Sequence, residues 1–150
     1  MKARIDYGKA PGVYDAMDAL DTYIAGCGLK RRLVLLAQLR ASQLNGCAYC
    51  LDMHWKDLRC LGVDEQRLYS LDAWRESPYY DERERAVLAW TEAVTMIADG
   101  HAPEAAFEAA SSVLDQKELA DLTLVVAAIN AWNRLSIAAR LVPGAYVSKG

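Results

Sequence analysis

The sequence predicts an all-α protein, because apolar residues recur at helical spacing along most of its length. No segment alternates apolar and polar residues over the length of a strand, and no internal repeat or low-complexity stretch appears. Glycine, proline and capping residues divide the chain into roughly six or seven helices joined by short turns. A chain of 150 residues can bury a sizeable core, so residues 1–150 are expected to form one helical domain.

Three helices are expected in the first part of the chain. The first carries an apolar stripe formed by Val13, Ala16, Met17, Leu20 and Ile24. The second covers about Lys30 to Leu44, a segment rich in the helix-forming residues Leu, Ala, Arg and Gln. Asn45-Gly46 then interrupts the pattern, and either residue can cap a third helix from Cys47 to Leu61. Gly62 stands where a C-terminal glycine ends such a helix.

Three further helices are expected before the last one. A short helix follows Asp64, which can serve as its N-cap. The segment SPYYDERERAVLAWTEAVTMIADG indicates a longer helix that ends at Gly100. The segment APEAAFEAASSVL then places Pro103 in the first turn of the next helix.

The last helix is expected to run from about Gln116 to Leu141, capped by Asp115 and stopped by Pro143-Gly144. Its segment LTLVVAAINAWNRL is apolar on nearly every side, which predicts burial in this chain's core or against another subunit. Asn130 and Asn133 interrupt the segment, so it is expected to be too short to span a bilayer, which takes about 20 apolar residues.

Composition argues against two classes of partner. The net charge is −3 and the seventeen Lys and Arg residues are scattered, so no basic patch predicts nucleic-acid binding. The N-terminal residues MKARIDYGKAPGVYDAM lack the long apolar run of a signal peptide. We therefore expect a cytoplasmic protein without a nucleic-acid or membrane partner. In that reducing compartment a close cysteine pair is more often catalytic or metal-binding than structural.

The segment SQLNGCAYCLDMH concentrates reactive side chains. Cys47 and Cys50 are three residues apart and His54 follows four residues later, so all three share one helical face. A Cys-X-X-Cys pair at a helix start can lower a thiol pKa from about 8.5 to about 7 or below. The helix end supplies only about 0.3–1 kcal/mol of this effect. His54 is therefore needed, as the base that takes the Cys50 proton or as the imidazolium that stabilises its thiolate.

This pair of thiols can complete a catalytic cycle. A thiolate attacks the O–O bond of a peroxide and becomes a sulfenic acid, which the second thiol converts to a disulfide. An external dithiol reopens the disulfide by exchange. We assign Cys50, next to His54, as the attacking thiol and Cys47 as the resolving thiol. We assign no cofactor and no metal ligand.

Other interpretations of the same residues stay open at this stage. A zinc site uses these ligand types, but a closed structural site takes four ligands and the motif offers three. The cysteines and the histidine can also be buried structural residues. A thioredoxin-like carrier needs a βαβ pattern that the sequence lacks. The alternative function is a dithiol redox sensor or adaptor without efficient peroxidase turnover.

SQLNGCAYCLDMH resembles the core signature of the AhpD-like alkylhydroperoxidases, within the carboxymuconolactone decarboxylase superfamily. DEQRLYSLDAWRESPYYDERERAVLAWTEAVT and ELADLTLVVAAINAWNRLSIAARLVPG also look like its single-domain members. The resemblance implies an all-helical fold, homo-oligomers (trimers or hexamers) and reduction of alkyl or hydrogen peroxides. It makes Cys50 the peroxidatic cysteine, Cys47 the resolving cysteine and His54 the proton-relay base. It also implies a dithiol reductant, such as a lipoylated protein.

One position departs from the family pattern. The family places a glutamate twelve residues before the first cysteine, as an acid of the proton relay, and Leu35 stands there in this sequence. The carboxylate must then come from elsewhere or the relay is weaker. Glu84 and Glu92, on the helix expected before Gly100, are the candidates.

Asn130, Asn133 and Arg134 are polar residues within an apolar helix. Because buried polar groups must be paired, we expect them at a subunit interface or a helix cap, with a substrate contact as the second possibility. Cys60 has no close cysteine partner in the sequence and is expected to be a small core residue.

Overall fold

Seven α-helices account for most of residues 2–149, which are the residues that the computed structural model describes. They are α1 (Gly12–Gly26), α2 (Arg31–Asn45), α3 (Ala48–Cys60), α4 (Glu65–Tyr69), α5 (Glu82–Thr95), α6 (Glu104–Ser111) and α7 (Gln116–Ala139). Short 3₁₀ turns lie at Tyr7–Lys9 and Leu71–Ala73, and residues 2–149 contain no strand. The predicted all-α fold is therefore confirmed.

Helix α5 is shorter than the sequence suggested at both ends. It begins at Glu82 because the side chain of Asp81 accepts a hydrogen bond from the N–H of Glu84, while the Glu84 side chain accepts one from the N–H of Asp81. It ends at Thr95, not Gly100, because Met96 leaves the helical conformation and its N–H donates to the carbonyl oxygen of Glu92. The same reciprocal cap starts α7 at Asp115, as predicted.

Helix α2 is the centre of the molecule. It packs against α3, α5 and α7, and its residues 33–42 are all buried. One side of α2 contributes to an apolar cluster with α1, α5, α6 and α7, and the other side to a cluster with α3, α4 and α5. A helix buried on both sides cannot rotate without disrupting two cores, so it fixes the orientation of the cysteine segment that follows it.

Helix α7 has 24 residues and a mean hydropathy of 1.3 over its most apolar stretch, so its length and composition alone are sufficient to cross a membrane. The expectation that this segment is too short is wrong, because the helix continues through Asn130 and Asn133. Both asparagines bond within the chain, and α7 packs against α1, α2 and α5. These contacts are those of a core helix.

An amide cluster joins the end of α2 to α7. Asn45 Nδ2 donates to Asn130 Oδ1 at 3.0 Å and to Asn133 Oδ1 at 2.9 Å, and Asn133 Nδ2 donates to Ser42 Oγ at 3.0 Å. Asn45 is the last residue of α2, so the asparagines meet the end of that helix through side chains and do not cap its backbone groups. Arg134 only bonds to Asn130, on the exposed side of α7.

Glu84 is the most deeply buried carboxylate of an ion-pair network between α2, α4 and α5. It is 2% exposed and pairs with Arg32 and with Arg67, whose Nη2 lies 2.7 Å from its Oε1. Glu92 binds Arg40, Trp74 and Arg75 further along α5. Both glutamates are thus already bound to structural partners.

Replacing Glu84 by Gln should lower the free energy of unfolding by about 2 kcal/mol, because Arg67 and Arg32 lose a buried counter-charge while remaining partly solvated. Urea unfolding followed by circular dichroism measures this. Glu118→Gln is the matched control: Glu118 has the same capping position in α7 and pairs with Arg83, but its side chain is 31% exposed. It should cost less than about 1 kcal/mol. Equal losses would contradict the role assigned to burial.

Candidate functional site

The cysteine pair lies at the junction of α2 and α3. Gly46 adopts a left-handed conformation (φ 68°) that ends α2, and Cys47 is the N-cap of α3. The expectation that Asn45 or Gly46 caps α3 is therefore wrong, since the turn at Gly46 displaces the cap by one residue. The sulfurs of Cys47 and Cys50 lie at disulfide distance, and their Cα atoms are 5.4 Å apart, within the usual range for a disulfide.

The two cysteines are buried. Cys47 is 1% exposed and Cys50 is 3% exposed. The N–H of Cys50 donates to the Sγ of Cys47 at 3.3 Å, so the first turn of α3 is oriented toward the sulfurs. Cys50 lines a cavity, and Cys47 is not among the residues that line it. An approaching small molecule therefore meets Cys50.

His54 lies one turn after Cys50 and lines the same cavity. It is 5% exposed, and within residues 2–149 its Nδ1 has no hydrogen-bond partner. Burial lowers the pKa of His54 to about 4, with the charge of Asp57 opposing the shift and that of Arg31 adding to it. At neutral pH the imidazole is uncharged and has a free site for a proton.

The cavity has a volume of about 580 Å³. It lies between α1, α2, α3 and α7 and the C-terminal tail, which we define as residues 141–149. Much of its wall is apolar or aromatic, and includes Ile24, Val34, Leu35, Met53, Ile129 and Trp132. The volume falls within the roughly 300–1,000 Å³ of pockets that hold small organic molecules.

Leu35 is 1% exposed and forms part of the cavity wall. It also packs in the apolar cluster that α2 shares with α3 and α5, so the position of the family glutamate is an integral part of the core. Glu84 and Glu92 do not line the cavity. Neither sequence candidate for the missing carboxylate is thus brought to the site.

Among the carboxylates that line the cavity, Asp57 is the one on the same helix as His54, and it was not among the residues predicted from the sequence. It is 7% exposed and accepts a 2.7 Å hydrogen bond from the hydroxyl group of Tyr146, in the C-terminal tail. Burial and this bond raise the pKa of Tyr146 to about 12. The sequence does carry a signal for Asp57, since it follows His54 by three residues on the same helical face.

The remaining cysteines lie outside this site. Cys60, expected in the core, is exposed, because α3 ends there and its last turn faces solvent. Cys27 is buried after the end of α1. Within residues 2–149, no group of three or more His, Cys, Asp or Glu side chains is placed to hold a metal ion.

The all-helical fold with a cysteine pair at the start of α3 defines an AhpD-like protein. A crystal structure from Agrobacterium tumefaciens matches with a TM-score of 0.93 and 43% identity over 97% of this chain and 100% of the other. That protein is described as being of unknown function and as a candidate antioxidant defence protein AhpD. A peroxidase-related protein from Silicibacter sp. TM1040 has a TM-score of 0.78 and 26% identity over 87% of this chain and 70% of the other.

Sequence comparison gives the family. Residues 11–93 match the Carboxymuconolactone decarboxylase family. The uncharacterized protein YdfG of Bacillus subtilis (strain 168) is 37% identical over 139 residues, which cover 92% of this chain and 95% of YdfG. This chain belongs to the carboxymuconolactone decarboxylase family, as the resemblance of the cysteine segment predicted.

The buried His54 should make folding sensitive to pH. Its pKa is about 4 in the folded protein and about 6.5 in the unfolded chain, so below about pH 6.5 the unfolded chain binds the extra proton. Stability due to His54 is therefore lost as pH falls, by about 2 kcal/mol between pH 7.5 and pH 5. Urea unfolding of the oxidised protein at both pH values, compared with His54→Gln, isolates this contribution.

The matched control for that measurement is His101→Gln, which removes an imidazole from an exposed turn. This variant should keep the pH dependence of the wild type, whereas His54→Gln should flatten it. If His54→Gln retains the full loss of stability on acidification, the burial of a neutral imidazole is not its origin.

Proposed function

We propose that this protein is a thiol-dependent peroxidase that reduces organic hydroperoxides through Cys50 and Cys47. The observation that carries the proposal is the placement of the Cys50 sulfur, at the cavity surface beside an uncharged His54 and within disulfide distance of Cys47. A neutral imidazole can accept the thiol proton, and the second sulfur can resolve the oxidised first one.

The reaction balances with these groups alone and one external dithiol. His54 takes the proton of the Cys50 thiol, and the thiolate attacks the O–O bond to give a sulfenic acid. The departing alkoxide takes a proton from His54 and leaves as an alcohol. The thiol of Cys47 then displaces water from the sulfenic acid, which forms the Cys47–Cys50 disulfide. A dithiol reductant restores both thiols and is itself oxidised to a disulfide.

The size and wall of the cavity support an organic hydroperoxide over hydrogen peroxide. Hydrogen peroxide would fill a small part of about 580 Å³ and would leave the apolar part of the wall without a contact. An organic group on the peroxide would displace water from that wall, which gives about 25 cal/mol per Å² of buried apolar surface. An organic group bound to the apolar wall would hold the O–O bond of the same molecule near Cys50.

We propose a dithiol reductant, a lipoylated protein among the candidates, because a dithiol reopens the Cys47–Cys50 disulfide by exchange and then closes into a disulfide itself. The proposed location is the cytoplasm, where such reductants keep thiols reduced. We also propose a homo-oligomer, a trimer or a hexamer. Its support is the family to which the chain belongs.

Substitution of each cysteine tests the proposed cycle. Cys50→Ser should abolish reduction of cumene hydroperoxide in stopped-flow experiments with dithiothreitol as the reductant, since it removes the attacking sulfur. Cys47→Ser that has been reduced and then freed of dithiothreitol should consume one equivalent of peroxide and stop at the sulfenic acid, which dimedone traps for mass spectrometry. Cys60→Ser, at an exposed free cysteine, is the matched control and should behave as the wild type.

Full activity of Cys50→Ser would refute the assignment of the nucleophile. Absence of turnover in the wild type, together with formation of the Cys47–Cys50 disulfide on oxidation, would support the redox sensor or adaptor instead.

A smaller cavity should slow the reduction of an organic hydroperoxide more than the reduction of hydrogen peroxide. Ala25 lines the cavity from the last turn of α1, so Ala25→Phe should lower kcat/KM for cumene hydroperoxide about tenfold more than kcat/KM for hydrogen peroxide. Ala19→Phe adds the same ring to an exposed position of α1 outside the cavity wall and is the matched control. Equal losses for both peroxides would show that the organic group does not occupy this cavity.

A further inference from the structure

Cys50, His54 and Asp57 form one continuous reactive face of α3. Their spacing of four and three residues places them one above the other on the helix. All three are buried, and all three line the cavity. The face therefore carries a nucleophile, a base and a carboxylate in that order.

We propose that Asp57 is the carboxylate of the proton relay, acting through His54, and that Tyr146 of the C-terminal tail holds it in place. This inference rests on the proposed function, because it assigns Asp57 to the step in which His54 takes the Cys50 proton. Asp57 and Tyr146 are positioning residues, since neither needs to touch the peroxide.

The argument starts from the cost of charging His54. When the imidazole accepts a proton it becomes a cation in a buried place, and its Nδ1 has no partner within residues 2–149. A carboxylate nearby offsets that cost, which makes His54 a stronger base. The charged and titratable groups that line the cavity around His54 are Arg31 on α2, Tyr14, Asp18 and Asp21 on α1, Tyr49, Cys50 and Asp57 on α3, and Tyr146.

Asp57 suits this role better than the two other carboxylates of the cavity. Its charge favours the protonated state of His54, against that of Arg31. Asp21 accepts a hydrogen bond from the indole of Trp132 at 3.0 Å, and burial raises its pKa, so its charge is disfavoured. Asp18 is exposed to solvent, which screens it.

Tyr146 reaches Asp57 because hydrogen bonds hold the C-terminal tail against α3. The N–H of Gly144 donates to Asp52 Oδ2 at 3.1 Å, and Lys56 Nζ donates to the carbonyl oxygens of Gly144 and Tyr146 at 3.2 and 3.0 Å. The Tyr146 hydroxyl group then donates to Asp57 Oδ1 at 2.7 Å. This donated hydrogen bond fixes the orientation of the Asp57 carboxylate.

In the relay, the proton of Cys50 moves to His54 and the electron pair stays on Sγ. Asp57 keeps its negative charge throughout and neutralises the imidazolium, while Tyr146 keeps its hydroxyl proton. After attack on the peroxide, His54 returns the proton to the alkoxide. No proton is lost or gained by Asp57, so its effect is on the rate at which the thiolate forms and attacks.

Alkylation of Cys50 by iodoacetamide at pH 7 tests this without any peroxide. The measurement uses reduced Cys47→Ser protein, with peptide mass spectrometry to follow Cys50 separately from Cys27 and Cys60. Asp57→Asn should slow the alkylation about tenfold. This corresponds to a decrease of about one in the pKa of His54. Loss of the Asp57 charge would, acting directly on Cys50, favour the thiolate and make alkylation faster. A slower rate therefore shows that Asp57 acts by making His54 a stronger base.

The second arm repeats Asp57→Asn in a His54→Gln background, where it should no longer slow the alkylation. Tyr146→Phe should slow it about threefold, and Asp57→Glu should restore part of the rate. Asp15→Asn is the matched control: it makes the same charge change on α1, but its side chain is exposed and lies outside the cavity. Its alkylation rate should stay within about twofold of the parent protein.

An unchanged or faster rate for Asp57→Asn with His54 present would overturn the proposal, and so would an equal loss for Asp15→Asn. If Asp57→Asn fails to fold by circular dichroism, Tyr146→Phe decides, because it leaves the carboxylate in place and must still slow the alkylation. Absence of peroxide turnover in the wild type would refute the proposed function alone, since the alkylation rates do not depend on it.

Discussion

Asn133 is fully buried and holds the end of α2 against α7 through Ser42 and Asn45. The position of both cysteines depends on this contact, because Cys47 follows Asn45 after a single left-handed glycine. A buried amide that loses one partner costs about 1–3 kcal/mol, so α7 tolerates these asparagines only while α2 ends where it does. The polar interruption of an apolar helix thus determines where α3 begins.

A second constraint is that the burial of His54 lowers its basicity. The environment that keeps His54 uncharged also makes it a weak base, since its protonated form is disfavoured. A thiol base works best when its pKa is near the operating pH. The site therefore needs a charge that favours the protonated imidazole without admitting water, and a carboxylate on the same helix meets this need with the least rearrangement.

Local patterns in the sequence predict most of the fold and part of the site. Helical spacing alone predicts the all-α architecture and places Cys50 and His54 on one face of a helix. Its placement of Cys47 on the same helical face is wrong, because Cys47 is the N-cap and has an extended backbone. The spacing of Asp57 is equally informative, but a glutamate missing from α2 does not by itself indicate which other helix supplies a carboxylate. Contacts between distant residues leave no local pattern: Tyr146 meets Asp57 from 89 residues away, and the arginines that bind Glu84 come from α2 and α4.

Leu35 and Asp57 are best understood together. A carboxylate at residue 35 would line the cavity but would also be packed in an apolar cluster of the core. Asp57 lines the cavity from α3, where the tail supplies a hydroxyl donor to it. Moving the charge from α2 to α3 leaves α2 free to pack on all sides. The cost is that the site then depends on residues 141–149, the part of the described chain that is held mainly by hydrogen bonds to α3.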